Sequence, residues 1–138
     1  MKRNIKIEQL YIYSLKSTKG QPVEMVPVQK YGFDNDRRVA IIDSKGRVVT
    51  GREHPKLVLL GSELKENYLV VASPSILVTF SLPRKRSPIP IRLFRNEIFG
   101  IPFGPKANTW ISEHLGGDYR LVFLGEKFRP IPEKRGGR

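Results

Sequence analysis

Apolar residues in this chain arrive in short runs, branched or alternating with polar neighbours, and each run is stopped by glycine, proline or a polar turn. That rhythm predicts short strands rather than long helices. The first run holds Ile5, Ile7, Leu10 and Ile12, with Tyr11 and Tyr13 between them, and ends where Ser14-Leu15-Lys16-Ser17-Thr18-Lys19-Gly20 turns polar. A second covers Val23, Met25 and Val26-Pro27-Val28, with the proline confining it to an edge; Tyr31 to Asp36 is loop chemistry, and Arg37 is expected to open the next strand. Arg38 to Asp43 and Val48-Val49-Thr50 flank Ser44-Lys45-Gly46-Arg47, the pattern of a hairpin with glycine at its tight position. Lys56 to Leu60 is expected to pair with Tyr68 to Ala72, followed by a Ser73-Pro74-Ser75 turn and a strand from Ile76 to Leu82. Ile89 to Phe94, Ile98 to Phe103 and Tyr119 to Leu124 complete the set.

A single stretch keeps helical spacing: Ala107, Trp110, Ile111 and Leu115, entered at Pro105 and stopped by Gly116-Gly117. Its tryptophan is expected to anchor on the sheet. The fold class is therefore mainly β, barrel-like and mostly antiparallel, with one short α-helix near residues 105–115. With 138 residues, one core is possible, and 39% hydrophobic against 28% charged residues is a globular balance. Residues 1–126 are expected to form the domain, and residues 127–138 a basic, Pro/Gly-rich tail or linker. Pro83-Arg84-Lys85-Arg86-Ser87-Pro88 must be an exposed loop, because two prolines and three adjacent cations disrupt a ladder.

No apolar run approaches the ~18 residues of a membrane span, so no membrane partner is expected. The basic N-terminus leads into Glu8 and Gln9 rather than an apolar signal core. The chain has no cysteine and two histidines, His54 and His114, which excludes disulfides and thiolate metal sites and makes a cytoplasmic location the expectation. The formal net charge of +12 draws polyanions, or else reflects cations spread over a solvated surface.

No nucleophile elbow, phosphate-binding glycine loop, dinucleotide fingerprint or His-Glu-x-x-His run is present. The pair Lys16-Ser17, in the loop after the first strand, and Arg37, beside Asp36, offer an ammonium, a hydroxyl and a guanidinium fork that together suit a phosphate. Each also has an ordinary explanation: a solvated lysine, a turn hydroxyl, and an arginine paired with Asp36 or Asp34. A different reading is a basic nucleic-acid-binding β-barrel that uses Arg84-Lys85-Arg86, the stretch Arg92, Phe94, Arg95, Phe99, and the tail. Against it, those phenylalanines sit in strand patterns where core residues are expected, and no recognition helix or RNP-like signature accompanies them.

The order Ile12-Tyr13-Ser14-Leu15-Lys16-Ser17, Asp36-Arg37-Arg38 with Ile41-Ile42-Asp43, then Thr50-Gly51-Arg52-Glu53-His54-Pro55-Lys56-Leu57 resembles the N-terminal β-barrel domain of MOSC proteins, which include molybdenum-cofactor sulfurases and amidoxime-reducing enzymes. The likeness continues through Trp110-Ile111-Ser112, Leu115-Gly116 and Tyr119-Arg120-Leu121-Val122 to Arg129-Pro130. The resemblance implies that Lys16, Ser17 and Arg37 contact the pterin and phosphate of the molybdenum cofactor (molybdopterin), and that Thr50 and Arg52 lie near the same cleft. It also implies an accessory domain of an oxidoreductase or sulfur-transfer enzyme that is not catalytic alone. Such a domain works with a MOSC domain, in cis or in trans, whose cysteine ligates the metal; the cysteine-free chain ends near where that domain would begin. A domain that only supports protein contacts is a third possibility. Two departures stand out: Leu15 where the family often has proline, and Val39 where it often has tryptophan or phenylalanine.

Overall fold

The computed structural model describes residues 4–30 and 32–124. Strands β1 (Leu10–Ile12), β2 (Gln21–Val23), β3 (Val28–Gln29), β4 (Gly32–Phe33) and β5 (Val39–Asp43) precede a 3-10 segment, Pro55–Leu59. Then come β6 (Gly61–Leu64), β7 (Tyr68–Ser73), β8 (Ile76–Ser81), β9 (Ile89–Leu93), β10 (Asn96–Pro102), the helix α1 (Pro105–Leu115) and β11 (Tyr119–Phe123). The ladders are antiparallel: a four-stranded sheet in the order β5-β11-β10-β9, a three-stranded sheet β6-β7-β8, and the pairs β1-β2 and β3-β4. The chain is thus mainly β and antiparallel with one helix, as its sequence predicts. The four-stranded sheet curls without closing into a barrel. Between β9 and β5, Arg47 and Val48 provide isolated bridges, Arg47 to Arg92 and Val48 to Ile42, rather than a continuous ladder.

The expected turn forms for the expected reason, but its return arm, Val48-Val49-Thr50, is no strand and meets β5 only through the isolated Val48 to Ile42 bridge and the Val49 N–H bond to the Ile41 carbonyl. Gly46 takes φ 78°, and the Asp43 carboxylate accepts backbone N–H groups from Lys45 and Arg47 at 2.9 and 3.0 Å. Burial opposes the charge on Asp43, but those bonds outweigh it and hold the carboxyl below its ordinary value.

Two apolar layers result. The larger packs Leu57, Leu69, Val71 and Phe80 against β5, β11 and the Ala107, Ile111, Leu115 stripe of α1. The smaller fills the inside of the curl with Ala40, Ile42, Val48, Ile91, Ile98 and Val122. Gly100 lets the strands approach there, since a Cβ would stand 3.0 Å from the Val122 Cβ and push that side chain aside. Trp110 sits at the margin of the larger layer, against Phe80 at 5.8 Å and stacked on His114 at 5.2 Å. Burial, and to a lesser degree the charge of Lys56, lowers the pKa of His114.

Five expectations need correction. Ile5 and Ile7 lie outside any strand and are 97% and 76% exposed; alternation without a pairing partner makes no strand. Lys56 to Leu60 is not a strand either. Pro55 starts a 3-10 turn that buries Leu57 and Leu60, three residues apart, and exposes Val58 and Leu59. The partner of β7 is β6, whose inward Ser62 hides the apolar alternation. Arg37 precedes its strand, in a turn with φ 50°. Phe99 lies between the inward residues Ile98 and Gly100 and so faces out, and Phe94 occupies the two-residue connection fixed by the Leu93–Asn96 pair; both rings are exposed rather than core. Gly32–Phe33, read as loop, makes the short β4.

The basic tail and its boundary at 126/127 lie outside the described residues. No helix among the described residues is long and apolar enough to cross a membrane. If Pro55–Leu59 is a 3-10 turn, Leu57→Ala lowers stability in urea unfolding by about 2–5 kcal/mol, and Leu59→Ala changes it by under about 0.5 kcal/mol. A strand at this place predicts comparable losses for Leu57 and Leu59, which share one face of an alternating pattern.

Candidate functional site

Two fully buried side chains, Leu15 and Val39, draw the loop after β1 alongside the start of β5. They form a parallel bridge: the Lys16 N–H donates to the Val39 carbonyl at 2.9 Å and the Val39 N–H to the Ser14 carbonyl at 3.1 Å. One step earlier the Arg37 N–H donates to the Tyr13 carbonyl at 2.6 Å. Lys16 and Arg37, distant in sequence, therefore leave adjacent backbone segments. Asp36 clamps the arrangement, accepting the Tyr13 N–H at 2.8 Å on one oxygen and the Arg37 guanidinium on the other. The guanidinium carbon lies 5.0 Å from the Tyr13 ring centroid. The ordinary pairing of Arg37 with Asp36 is thus present. A guanidinium carries five N–H donors, so one such bond leaves capacity for a ligand.

The other side of the loop is held by buried hydroxyls. Thr18 donates to the Leu15 carbonyl at 2.7 Å, so in its 2.9 Å contact with Ser62 the serine must be the donor, a hydroxyl having one hydrogen. Ser62 Oγ accepts the Leu15 N–H at 3.0 Å, Ser14 Oγ accepts the Leu64 N–H at 3.2 Å, and the Lys19 N–H reaches the Leu60 carbonyl at 2.7 Å. These bonds explain the serine at an inward position of β6. A proline at position 15 would have no N–H for Ser62 to accept. Leu15 and Val39, the two positions where the sequence departs from the resemblance, are partners in one bridge.

Ser17, at φ 72°, meets the next candidate segment directly, since a Cβ on Gly51 would lie 3.6 Å from the Ser17 Cβ. Thr50, half-buried, closes its turn by accepting the N–H groups of Glu53 and His54 at 3.1 Å. His54 Nε2 shares a 2.9 Å hydrogen bond with the Tyr119 hydroxyl, tying this turn to β11. The structure therefore sets side by side the backbone segments that carry Lys16 and Ser17, Arg37, and the Thr50 turn. Arg52 follows on that turn as an exposed side chain, joined to the group through its chain neighbours.

One neighbour escapes the sequence reading as a site residue. The Lys16 ammonium lies 6.0 Å from the centroid of Phe94, which is 74% exposed and has φ 55°. Outside glycine, the positive-φ residues among those described are Ser17, Asn35, Arg37 and Phe94. Ser17 follows Lys16 in the chain, the Phe94 ring lies near its ammonium, Arg37 stands on the neighbouring backbone segment opposite Tyr13, and Asn35 lies in the turn leading to Arg37. Such conformations cost energy and gather where a structure holds groups for binding.

An ammonium, a hydroxyl and a guanidinium are donors that suit the phosphate and polar ring edges of a pterin phosphate. They do not suit a metal. Among the described residues no group of three or more His, Cys, Asp or Glu side chains converges, and the sequence has no cysteine. A 340 Å³ cleft involving Lys45, Arg47, Arg92 and Glu97, and a 450 Å³ cleft involving Tyr68, Phe80, Phe103 and Lys106, include none of the donors.

Comparison with known proteins identifies the family. Residues 4–118 match the family described as the MOSC N-terminal beta barrel domain, and the chain belongs to that family. It is 27% identical to a mitochondrial amidoxime-reducing component 1 of Xenopus laevis, over 94% of this chain and 40% of the relative. It is 30% identical to the Homo sapiens counterpart, over 90% of this chain and 39% of the relative. The chain thus spans about two fifths of the length of these relatives. A solution structure of a Bordetella bronchiseptica protein superposes with a TM-score of 0.56 at 19% identity, over 76% of this chain and 90% of that one, which shows the shared fold.

The hydroxyl network makes a prediction of its own. Ser62→Ala removes the acceptor of the buried Leu15 N–H and the donor to Thr18, and should lower stability by about 1–3 kcal/mol in urea unfolding. Ser73→Ala, at a serine outside the buried set, should change it by less than about 0.5 kcal/mol. Equal effects would show that the network does not hold the loop.

Proposed function

We propose that this chain is the accessory, cofactor-holding part of a molybdenum-cofactor enzyme related to the amidoxime-reducing components, and that it binds the pterin phosphate without being catalytic alone. The observation that carries the proposal is the convergence of Lys16, Ser17 and Arg37 on adjacent backbone segments fixed by buried hydrogen bonds. Lys16 and Arg37 supply positive charge for a phosphate, Ser17 supplies a short hydroxyl donor, and Thr50 with Arg52 borders the same face. When bound, the cofactor supplies two-electron redox or sulfur-transfer chemistry at its metal. The role of this chain is to orient it and to shape one wall of the substrate cleft.

Because the chain corresponds to about two fifths of the relatives it matches, the metal ligand is assigned to a MOSC domain acting in cis or in trans. A cytoplasmic location belongs to the same proposal; the relatives named above are mitochondrial by name. The nucleic-acid reading is retained as second, supported by the exposure of Phe94 and Phe99 beside the exposed Arg92 and Arg95. It is weakened at the Arg84-Lys85-Arg86 loop. Arg84 is hydrogen-bonded to the Glu66 carbonyl, and the Arg86 guanidinium lies over Gly104.

The test uses the chain alone and together with a MOSC-domain partner. Alone, it should neither retain molybdenum nor reduce N-hydroxylated substrates. With the partner, Lys16→Ala or Arg37→Ala should lower cofactor occupancy by about tenfold, the loss of one charge-assisted hydrogen bond, with little change in Tm. Metal retention or turnover by the lone chain would refute the division of labour, and unchanged occupancy in both variants would refute the site.

A further inference from the structure

We propose that Phe94 is a ligand-contacting residue of the Lys16 site, presenting an aromatic face to the planar heteroaromatic ring of the phosphate ester that Lys16, Ser17 and Arg37 hold. This rests on the anion-site reading above and adds the ring-recognition element which that reading lacks.

The argument starts from what Phe94 does not do. It contributes nothing to either apolar layer, being 74% exposed. Nor does it favour its own backbone. It fills the first position of the two-residue connection between β9 and β10, where φ is 55°, a conformation glycine adopts freely and an aromatic L-residue resists. A hairpin selected for stability alone would carry glycine or asparagine there. Attraction to the Lys16 ammonium is a weak reason for the ring, since 6.0 Å to the centroid is the outer limit of a useful cation–π contact.

The surroundings supply a better reason. A phosphate bonded to Lys16 places its oxygen about 3 Å from the ammonium, so the rest of the ester falls within reach of the Phe94 ring. Phe94 also belongs to the same group of backbone outliers as Ser17 and Arg37, the two other proposed ligand contacts. An exposed aromatic face next to phosphate donors is the pairing used to hold a flat ring by stacking while its phosphate is held by charge.

The experiment measures binding to the full chain by calorimetry. The probes are inorganic phosphate, a pterin bearing a phosphomonoester, and a short single-stranded oligonucleotide. Quenching of pterin fluorescence reports stacking. The wild-type chain should bind the phosphopterin about tenfold more tightly than phosphate. Phe94→Gly and Phe94→Leu should each abolish that margin and most of the quenching while leaving phosphate affinity unchanged, and Phe94→Gly should melt at or above the wild-type temperature. Lys16→Ala should weaken both probes. If Lys16→Ala weakens both probes but the margin survives both Phe94 substitutions, the Phe94 proposal fails and the anion site stands. If neither probe binds the wild type at millimolar concentration, or Lys16→Ala has no effect, the anion site fails and Phe94 with it. A clear loss of melting temperature in Phe94→Gly makes the ring structural and overturns the proposal. So does oligonucleotide binding that depends on Phe94 while phosphopterin binding does not.

Discussion

The bridge between Leu15 and Val39 is the contact on which the rest of this structure depends. Both side chains are fully buried in the larger apolar layer, and the bridge is parallel, whereas the strand ladders around it are antiparallel. Burying two branched side chains contributes a few kcal/mol at ~25 cal/mol per Å². That contact fixes where the loop after β1 meets β5, and so sets the segment carrying Lys16 alongside the one carrying Arg37. Leu15 also ties the loop to β6, because its N–H has Ser62 as its acceptor. Core packing and site geometry are here one constraint.

What the sequence made legible was what local chemistry dictates. The Gly46 turn, the Pro105 to Gly116 helix and the branched runs of β5, β7, β8 and β11 depend on period, glycine and proline, and each lies where those signals place it. The failures share a cause. Lys56 to Leu60 has the apolar density of a strand, and only the identity of the buried pair, Leu57 and Leu60, distinguishes a period of three from a period of two. Beta-6 was hidden because its inward position is a serine whose value lies in hydrogen bonds to distant residues. Phe99 looked like core because alternation does not say which face of a strand is inside.

The site was legible in part. Lys16, Ser17 and Arg37 stand out as donors, but their convergence depends on a parallel bridge that no local pattern announces. Phe94 was visible as an aromatic among cations, yet its conformation and its distance from Lys16 are properties of the folded chain. Family resemblance pointed to segments that the fold sets side by side. The geometry adds that they are clamped by Asp36 on one side and by the Ser62 and Thr18 hydroxyls on the other.

The central claim, that the donor loop is a rigid part of the core and not a flexible surface segment, is open to direct measurement by native-state amide hydrogen exchange. The Lys16 N–H, bonded to the Val39 carbonyl, and the Val39 N–H, bonded to the Ser14 carbonyl, should exchange only through global unfolding. Their opening free energies should equal those of the β11 amides paired with β5. If both amides instead exchange orders of magnitude faster than β11, through local opening, the loop is not built into the core and the account of the site is wrong.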